Sequence, residues 1–294
     1  MKAMVVDKDY GALTQAEIDQ IQAAYEAAGI TFSANHLSTE DELIQSCTDT
    51  DVIICTGNPP VTRRVLEALP QLKIIQRTGA GVNSIDLDAA TDLGRIVLNL
   101  PGFCAKEIAD LATAMILGLI RNTCYYDRHI RRGEWPKCRY KMPGDIREMT
   151  LGLFGFGGAG RHLHDILYKG FGTRVIAYDP YISDEVKRQY PHVSFVSYDE
   201  LLEESDILSI HVVLTPETTH AFTRESFRKM KSSAMIINTS RGPVIDQEAL
   251  IWALETGEIA YAGLDTFELE PIAPDDPLLT MENVILSPHS GSYG

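Results

Sequence analysis

The sequence predicts an α/β fold in two domains, each built on a parallel sheet covered by helices. Three observations carry this. Short runs rich in Val and Ile alternate with amphipathic stretches along the whole chain, as in βα units. The alternation is interrupted by Asn99-Leu100-Pro101-Gly102, and it restarts at Thr150. Length agrees, because 294 residues make about two domains that can bury cores without disulfides or metals.

Taken in order, the first strands are expected at 2–7, 31–36, 51–56, 73–77 and 95–100. Between the first two, Thr14-Gln15-Ala16-Glu17 is a capping box that opens a helix ending near Gly29, where a left-handed cap is cheap. After the Pro-Gly turn a long helical pattern runs from about Ala105 into the Arg121 region. Its most apolar part, 111–120, spans about ten residues where a membrane crossing needs about 20, so it predicts a buried helix. Seven further strands are expected at 151–156, 174–179, 193–196, 206–212, 234–239, 260–265 and 283–286.

Composition narrows the function classes. With 26 Lys and Arg against 41 Asp and Glu, the net charge of −15 provides no positive field for a polyanion, and no basic stripe is interleaved with aromatics. Nucleic acid and anionic membrane are therefore not expected as partners. The apolar run at 3–6 is too short for a signal sequence and starts a strand, so no export is implied. Cys47, Cys55, Cys104, Cys124 and Cys138 contain no C-x-x-C pair, which fits neither a disulfide framework nor a zinc cage. They predict unpaired thiols in a reducing, cytoplasmic setting, with no metal.

The sharpest motif is Gly155-Phe156-Gly157-Gly158-Ala159-Gly160, directly after a strand and opening a helix. Gly155 would make the tight turn, Gly157 would admit a pyrophosphate, and Gly160 would let helix and strand pack closely, with the helix N-terminus facing the phosphates. Asp179 follows 19 residues after Gly160 at the next strand's end, where a carboxylate accepts from a ribose and repels a 2′-phosphate. The motif therefore predicts NAD rather than NADP. One departure is His164, four residues past Gly160, where such a helix usually wants a small residue; His162 and His164 are expected as surface or packing histidines.

Three more residues follow predicted strand ends, the edge where open α/β sheets bind ligands. Arg241 in Ser240-Arg241-Gly242 can clamp a carboxylate and a neighbouring carbonyl with a planar fork, or cap a helix. Glu270 lies in Gly263-Leu264-Asp265-Thr266-Phe267-Glu268-Leu269-Glu270-Pro271, and His289 in Ser287-Pro288-His289. A carboxylate beside an imidazole favours its protonated form, as a general acid near neutrality requires. Spacing does not establish that they touch, and Glu268 competes with Glu270 for the role.

Together these motifs make the chain resemble the D-isomer-specific 2-hydroxyacid dehydrogenases from about Val52 to His289. Four blocks carry the resemblance: Arg77 to Asp86; Asn99-Leu100-Pro101 with Glu107-Ile108-Ala109-Asp110; Gly155 to Asp179; and Asn238 to Asp246 followed by Gly263 to Pro271 and Ser287 to His289. The resemblance implies a flavodoxin-like substrate domain at 1–99 and a Rossmann NAD domain at 100–289, with the active site in the cleft between them and commonly a homodimer. It implies that backbone N–H groups at Ala80 and Gly81 hold a substrate carboxylate and that Arg241 binds carboxylate and carbonyl oxygens. His289, oriented by Glu270, would protonate the carbonyl as hydride reaches C2. Asp179 would hold the adenosine ribose and Asp265 the nicotinamide end; the stretch Val212, Val213 to Thr218, with Thr239 and Ser240, would line the cofactor beside Gly155, Gly157, Gly158, Ala159 and Gly160. The substrate would be a small 2-keto or D-2-hydroxy acid. Within the family, 107–110, 179–184 and Tyr293 look similar to the C-terminal-binding-protein group, which makes an NAD(H)-responsive scaffold or corepressor the alternative function.

Departures from the pattern are informative. Ile108 replaces the usual Thr near the pyrophosphate, Val213 stands where many relatives have Pro, and Ser292 stands where the corepressors carry Trp, which argues against a specific corepressor reading. Glu270 replaces the Gln of the formate-oxidising branch. Asn58, Phe103 and Trp135 to Met142 are candidates for the pocket mouth, and Arg128, Arg131, Arg132, Lys137, Arg139 and Lys141 form a basic cluster expected as a solvated loop or dimer-face ion pairs. Because relatives continue past the catalytic His, residues 290–294 are expected to start a return to the substrate domain whose closing segment would leave apolar surface uncovered if missing.

Overall fold

The computed structural model describes residues 1–6, 15–136 and 143–293. Thr14 of the predicted capping box, the end of the first predicted strand at Asp7, the thiol of Cys138, the basic-cluster residues Lys137, Arg139 and Lys141, and the pocket-mouth candidates from Lys137 to Met142 lie outside them. The chain forms two compact units, Met1–Phe103 and Cys104–Gly294, dividing just after the Pro-Gly turn.

The first unit runs β1 (Lys2–Val5), α1 (Gln15–Ala27), β2 (Thr31–Ala34), α2 (Glu40–Ser46), β3 (Val52–Cys55), α3 (Arg63–Ala68), β4 (Ile74–Arg77), α4 (Leu87–Asp92) and β5 (Ile96–Leu98). Its strands pair in parallel in the order β2-β1-β3-β4-β5. Every residue of β3 is buried because both faces are covered. Ile53 and Cys55 enter the core under α2, α3 and α4, while Val52 and Ile54 point to the face covered from α1 by Tyr25. A capping box starts α2: Thr39 Oγ1 accepts from Glu42 N–H at 3.2 Å, and Glu42 Oε2 accepts from Thr39 N–H at 3.3 Å.

The second unit runs α5 (Ala105–Arg121), α6 (Thr123–Arg131), β6 (Thr150–Phe154), α7 (Gly158–Phe171), β7 (Arg174–Tyr178), α8 (Asp184–Gln189), β8 (Ser194–Phe195), α9 (Tyr198–Glu204), β9 (Ile207–Ile210), α10 (Arg224–Lys229), β10 (Met235–Asn238), α11 (Gln247–Thr256), β11 (Tyr261–Leu264) and β12 (Val284–Leu286). All seven strands are parallel, in the order β12-β11-β10-β9-β6-β7-β8. Leu119, Leu163, Leu167 and Tyr261 belong to the core under α5 and α7, and Leu201, Phe227, Leu250 and Ala262 to the opposite one under α9, α10 and α11. The strand order reverses between β6 and β9, which leaves a crevice beyond their carboxyl ends.

All twelve predicted strands are present, but most end sooner than their apolar runs. Phe156, Asp179, Val212, Thr239 and Asp265 close predicted strands yet lie beyond β6, β7, β9, β10 and β11. The sequence pattern continues past the hydrogen-bonded ladder because Phe156, Thr239 and Asp265 are buried in the loops there, Phe156 completely, while Asp179 and Val212 are partly buried. These trimmed ends form the functional edge of the sheet. Cys47, Cys55, Cys104 and Cys124 form no disulfide among the described residues, and burial pushes Cys47 up to about 11 and also raises Cys104, so neither of these two is a ready nucleophile. Among the described residues no helix is long and apolar enough to cross a membrane, and no group of three or more His, Cys, Asp or Glu could hold a metal ion.

Candidate functional site

The glycine loop leaves β6 at the switch point. Gly155 has φ of +95°, and a Cβ there would lie 2.5 Å from His211 O and 2.8 Å from Val212 Cγ1, so only glycine fits. A Cβ on Gly160 would lie 2.5 Å from Gly155 O, the close approach that lets α7 pack against the turn. A Cβ on Gly157, by contrast, would meet nothing within 4 Å, which leaves that side of the loop open to a ligand. Gly158 faces Ala105, with 3.3 Å between the Cβ positions, and Ala159 continues the first turn of α7. Asp179 is clipped to the loop: Oδ2 accepts from Phe156 N–H at 2.9 Å and Oδ1 from Tyr181 N–H at 3.0 Å. The amide end of a helix and a fixed carboxylate one strand away fit the pyrophosphate and ribose of a dinucleotide.

His164 is 1% exposed. Its Nδ1 meets Asp165 Oδ1 at 2.9 Å, its Nε2 meets His192 Nε2 at 2.7 Å, and it packs between Tyr168 and Tyr190. Burial pushes this imidazole below its ordinary value against the pull of Asp165. An aromatic shelf thus fills the space that a small residue would close, and His164 is a packing residue.

Residues 212–218 are stitched internally: Thr218 Oγ1 donates to Val213 O at 2.7 Å and accepts from Thr215 N–H at 2.8 Å. Thr218 therefore shapes this loop with its own hydroxyl, and Val213 stands 72% exposed at its tip. Thr239 is buried with its hydroxyl unpartnered among the described residues, and Ser240 donates to Asn238 Oδ1 at 2.8 Å.

β10, β11 and β12 are adjacent and in register, Asn238 beside Leu264 and Leu264 beside Leu286, so the three segments after them converge. Asn238 holds the Arg241 turn from both sides, accepting from Ser240 N–H at 3.0 Å and donating to Arg241 O at 2.9 Å. Gly242 then lies against the neighbouring loop, where a Cβ would overlap the Phe267 carbonyl at 1.9 Å. Arg241 is half-buried, with Nη1 on Ser240 O at 2.7 Å. Glu270 Oε1 accepts from Phe267 N–H at 3.0 Å, and Oε2 lies 2.7 Å from His289 Nδ1. Burial pushes Glu270 up, but the bonds from His289 and Phe267 and the nearby His289 and Arg241 charges outweigh it and hold the carboxyl below its ordinary value. Glu268 pairs elsewhere, with His220 Nε2 at 2.7 Å from its Oε1.

Asp265 is 1% exposed and spends its carboxylate on the chain after β12. Oδ1 accepts from Ser287 Oγ at 2.5 Å and Ser290 N–H at 2.8 Å, Oδ2 from Gly291 N–H at 2.9 Å, and its carbonyl accepts from His289 N–H at 2.8 Å. This holds His289 at φ of +52°, a backbone region costly for most non-glycine residues. In the first unit, the loop after β4 is set by Arg77 Nε donating to Gly81 O at 3.0 Å and by Asn99 Nδ2 donating to Ala80 O at 2.7 Å. The Asn99 bond holds the Ala80–Gly81 peptide, which carries the Gly81 N–H, and the Arg77 bond holds the peptide that follows it. Arg77, Asn99, Asn238 and Gly242 are assigned no role by the sequence, although each lies in one of the blocks that carry the family resemblance.

The geometry at the switch point defines a dinucleotide-binding oxidoreductase domain. Comparison with known proteins makes this specific. Residues 113–291 match the family model for the NAD binding domain of D-isomer specific 2-hydroxyacid dehydrogenases. The chain is 41% identical over 253 residues to a glyoxylate reductase of Korarchaeum cryptofilum, covering 85% of this chain and 76% of that protein. It is 40% identical over 254 residues to a D-3-phosphoglycerate dehydrogenase of Methanocaldococcus jannaschii, covering 86% of this chain but only 48% of that protein. A solved D-lactate dehydrogenase of Aquifex aeolicus, complexed with NAD and lactic acid, is similar with a TM-score of 0.84 at 26% identity, covering 100% of this chain and 90% of that one. The chain belongs to the D-isomer specific 2-hydroxyacid dehydrogenase family. It is an NAD-dependent enzyme, and 2-hydroxyacid oxidoreduction is its chemistry.

Proposed function

We propose that the chain reduces a small 2-keto acid to its D-2-hydroxy acid, with glyoxylate, hydroxypyruvate and pyruvate as first substrates. The observation that carries this is the 2.7 Å contact between His289 Nδ1 and Glu270 Oε2. With Nδ1 engaged by a carboxylate, the ring is held in one orientation and Nε2–H is the end left to give a proton to the carbonyl oxygen. Arg241 clamps the carboxylate and that oxygen, and stabilises the charge that grows there. On the first unit, backbone N–H groups at Ala80 and Gly81 take the carboxylate. Gly155, Gly157, Gly158, Ala159 and Gly160 hold the cofactor pyrophosphate and Asp179 its ribose, while Val212, Val213, Thr218, Thr239 and Ser240 line the remainder. Bound NADH supplies the hydride. Asp265 acts here as a positioning residue, through the segment that carries His289.

The test is Arg241→Ala. Its turnover of the three keto acids should fall at least about a thousandfold while NADH binding, read by fluorescence, is retained. Turnover near the wild-type rate would overturn the assignment. Three finer readings rest on sequence features. The free cysteines support a cytoplasmic enzyme, and the resemblance supports a homodimer. Fragments 107–110 and 179–184 with Tyr293 support a place near the C-terminal-binding-protein-like branch, where the protein would act as an NAD(H)-responsive scaffold. A dimer indifferent to NADH speaks against the scaffold, and the coupled Arg241, Glu270 and His289 favour the enzyme.

A further inference from the structure

Glu268 and Glu270 sit two residues apart on one loop, and each meets an imidazole at 2.7 Å. We propose that the His220–Glu268 pair positions the loop that carries Glu270, and so sets the His289–Glu270 contact without touching substrate. The inference deepens the proposed reaction and rests on that reading.

Three sets of contacts form a closed circuit. His220 N–H donates to Pro243 O at 2.8 Å, Phe222 N–H donates to Val244 O at 3.3 Å, and Asp246 N–H donates to Phe222 O at 3.0 Å, which fastens residues 220–222 to the turn after Arg241. That turn lies against the Phe267–Glu268 peptide through Gly242, where no side chain fits. Glu268 N–H donates to Gln247 Oε1 at 3.2 Å, Gln247 Nε2 donates to Asp276 Oδ2 at 2.6 Å, and Glu268 Oε1 returns to His220 Nε2. The next peptide back is the one whose N–H, at Phe267, points at Glu270 Oε1. Holding Glu268 therefore holds the donor that orients Glu270.

Two further observations point to positioning rather than to bulk stability. The pair is half-exposed, with 49% of the His220 and 34% of the Glu268 side chain accessible, and such pairs add little to folding. His220 adopts φ of +50°, a left-handed backbone that persists only where its surroundings impose it.

The test uses the intact protein without added cofactor and follows amide hydrogen exchange in the segment 266–270, alongside kcat and KM with glyoxylate and hydroxypyruvate. In His220→Ala and Glu268→Ala, exchange across 266–270 should rise about tenfold while β10 and α11 keep their protection. Turnover should fall about tenfold, with KM for the keto acid within about twofold of wild type. His220→Gln and Glu268→Gln keep a hydrogen bond at Nε2 and Oε1 and should restore both readouts to within about threefold of wild type. Unchanged exchange in both alanine variants, or a uniform rise throughout the second unit that glutamine does not rescue, overturns the proposal. A wild type without turnover but with the predicted exchange pattern overturns the keto acid reading and leaves the positioning claim standing. If one alanine variant does not fold, the other carries the test.

Discussion

The two imidazole–carboxylate pairs of the second unit share a contact distance of 2.7 Å and a left-handed imidazole backbone, yet their surroundings differ in kind. Glu270 accepts a second hydrogen bond from Phe267 N–H and lies in the field of Arg241, and its carboxyl is held below the ordinary value. His289 follows β12 and is anchored by the buried carboxylate and carbonyl of Asp265. Glu268 has no such shell, and its backbone N–H and the His220 backbone N–H are tied to Gln247 and Pro243 instead. On the proposed reading, one geometry serves chemistry where a cation and a buried anchor surround it, and fastening where loops meet. Distance alone does not assign a role.

Substitutions can break the comparison in order of effect. His289→Gln should lower kcat about a thousandfold with NADH affinity unchanged, because it removes the proton donor; the corresponding loss for His220→Gln is under about threefold. Steady-state kinetics of the two variants side by side would erase the distinction if the losses matched. Glu270→Gln should cost about a hundredfold in kcat, since a neutral amide replaces the negative charge beside the reacting ring, whereas Glu268→Gln should be near neutral.

The pH dependence of folding sharpens it. Glu270 is depressed in the folded chain, so its stabilising contribution is present above the ordinary glutamate value of 4.5 and disappears as pH falls through its lower folded value. The melting difference between wild type and Glu270→Gln should therefore be constant above that value and shrink below it. A separate effect concerns His211, beneath the glycine loop, whose Nε2 meets Ser209 Oγ at 2.8 Å and which burial pushes down to about 4 from 6.5. The unfolded chain takes up that proton first, so stability falls as pH drops from 6.5 towards 4. His211→Gln should flatten this part of the curve in denaturant titrations.

Much of the framework was legible in the sequence. Apolar runs located all twelve strands, because a parallel sheet covered on both faces leaves nearly continuous Val and Ile. The spacing from Gly160 to Asp179 corresponds to one helix and one strand, which bring Asp179 back beside the glycine loop. Strand ends were overrun at Phe156 and Thr239, where loop residues are as buried as the ladder, and at Val212, which is partly buried. The choice between Glu268 and Glu270 was not legible, since both lie on one loop and their partners are set by the β11–β12 register and by a loop 48 residues away. His164 likewise finds its partner 28 residues along the chain at His192, and Asp265 finds its donors beyond β12.

The central claim is that His289, coupled to Glu270, protonates the carbonyl oxygen while hydride reaches C2 of a 2-keto acid. The most direct measurement supplies NADH deuterated at the transferring position with glyoxylate, hydroxypyruvate or pyruvate, and locates the label in the product while cofactor binding is monitored in the same sample. Wild type should place deuterium at C2 of the 2-hydroxy acid, of D configuration where C2 was already stereogenic, and His289→Gln should place almost none. No transfer by cofactor-bound wild type, or equal transfer by His289→Gln, would contradict the account.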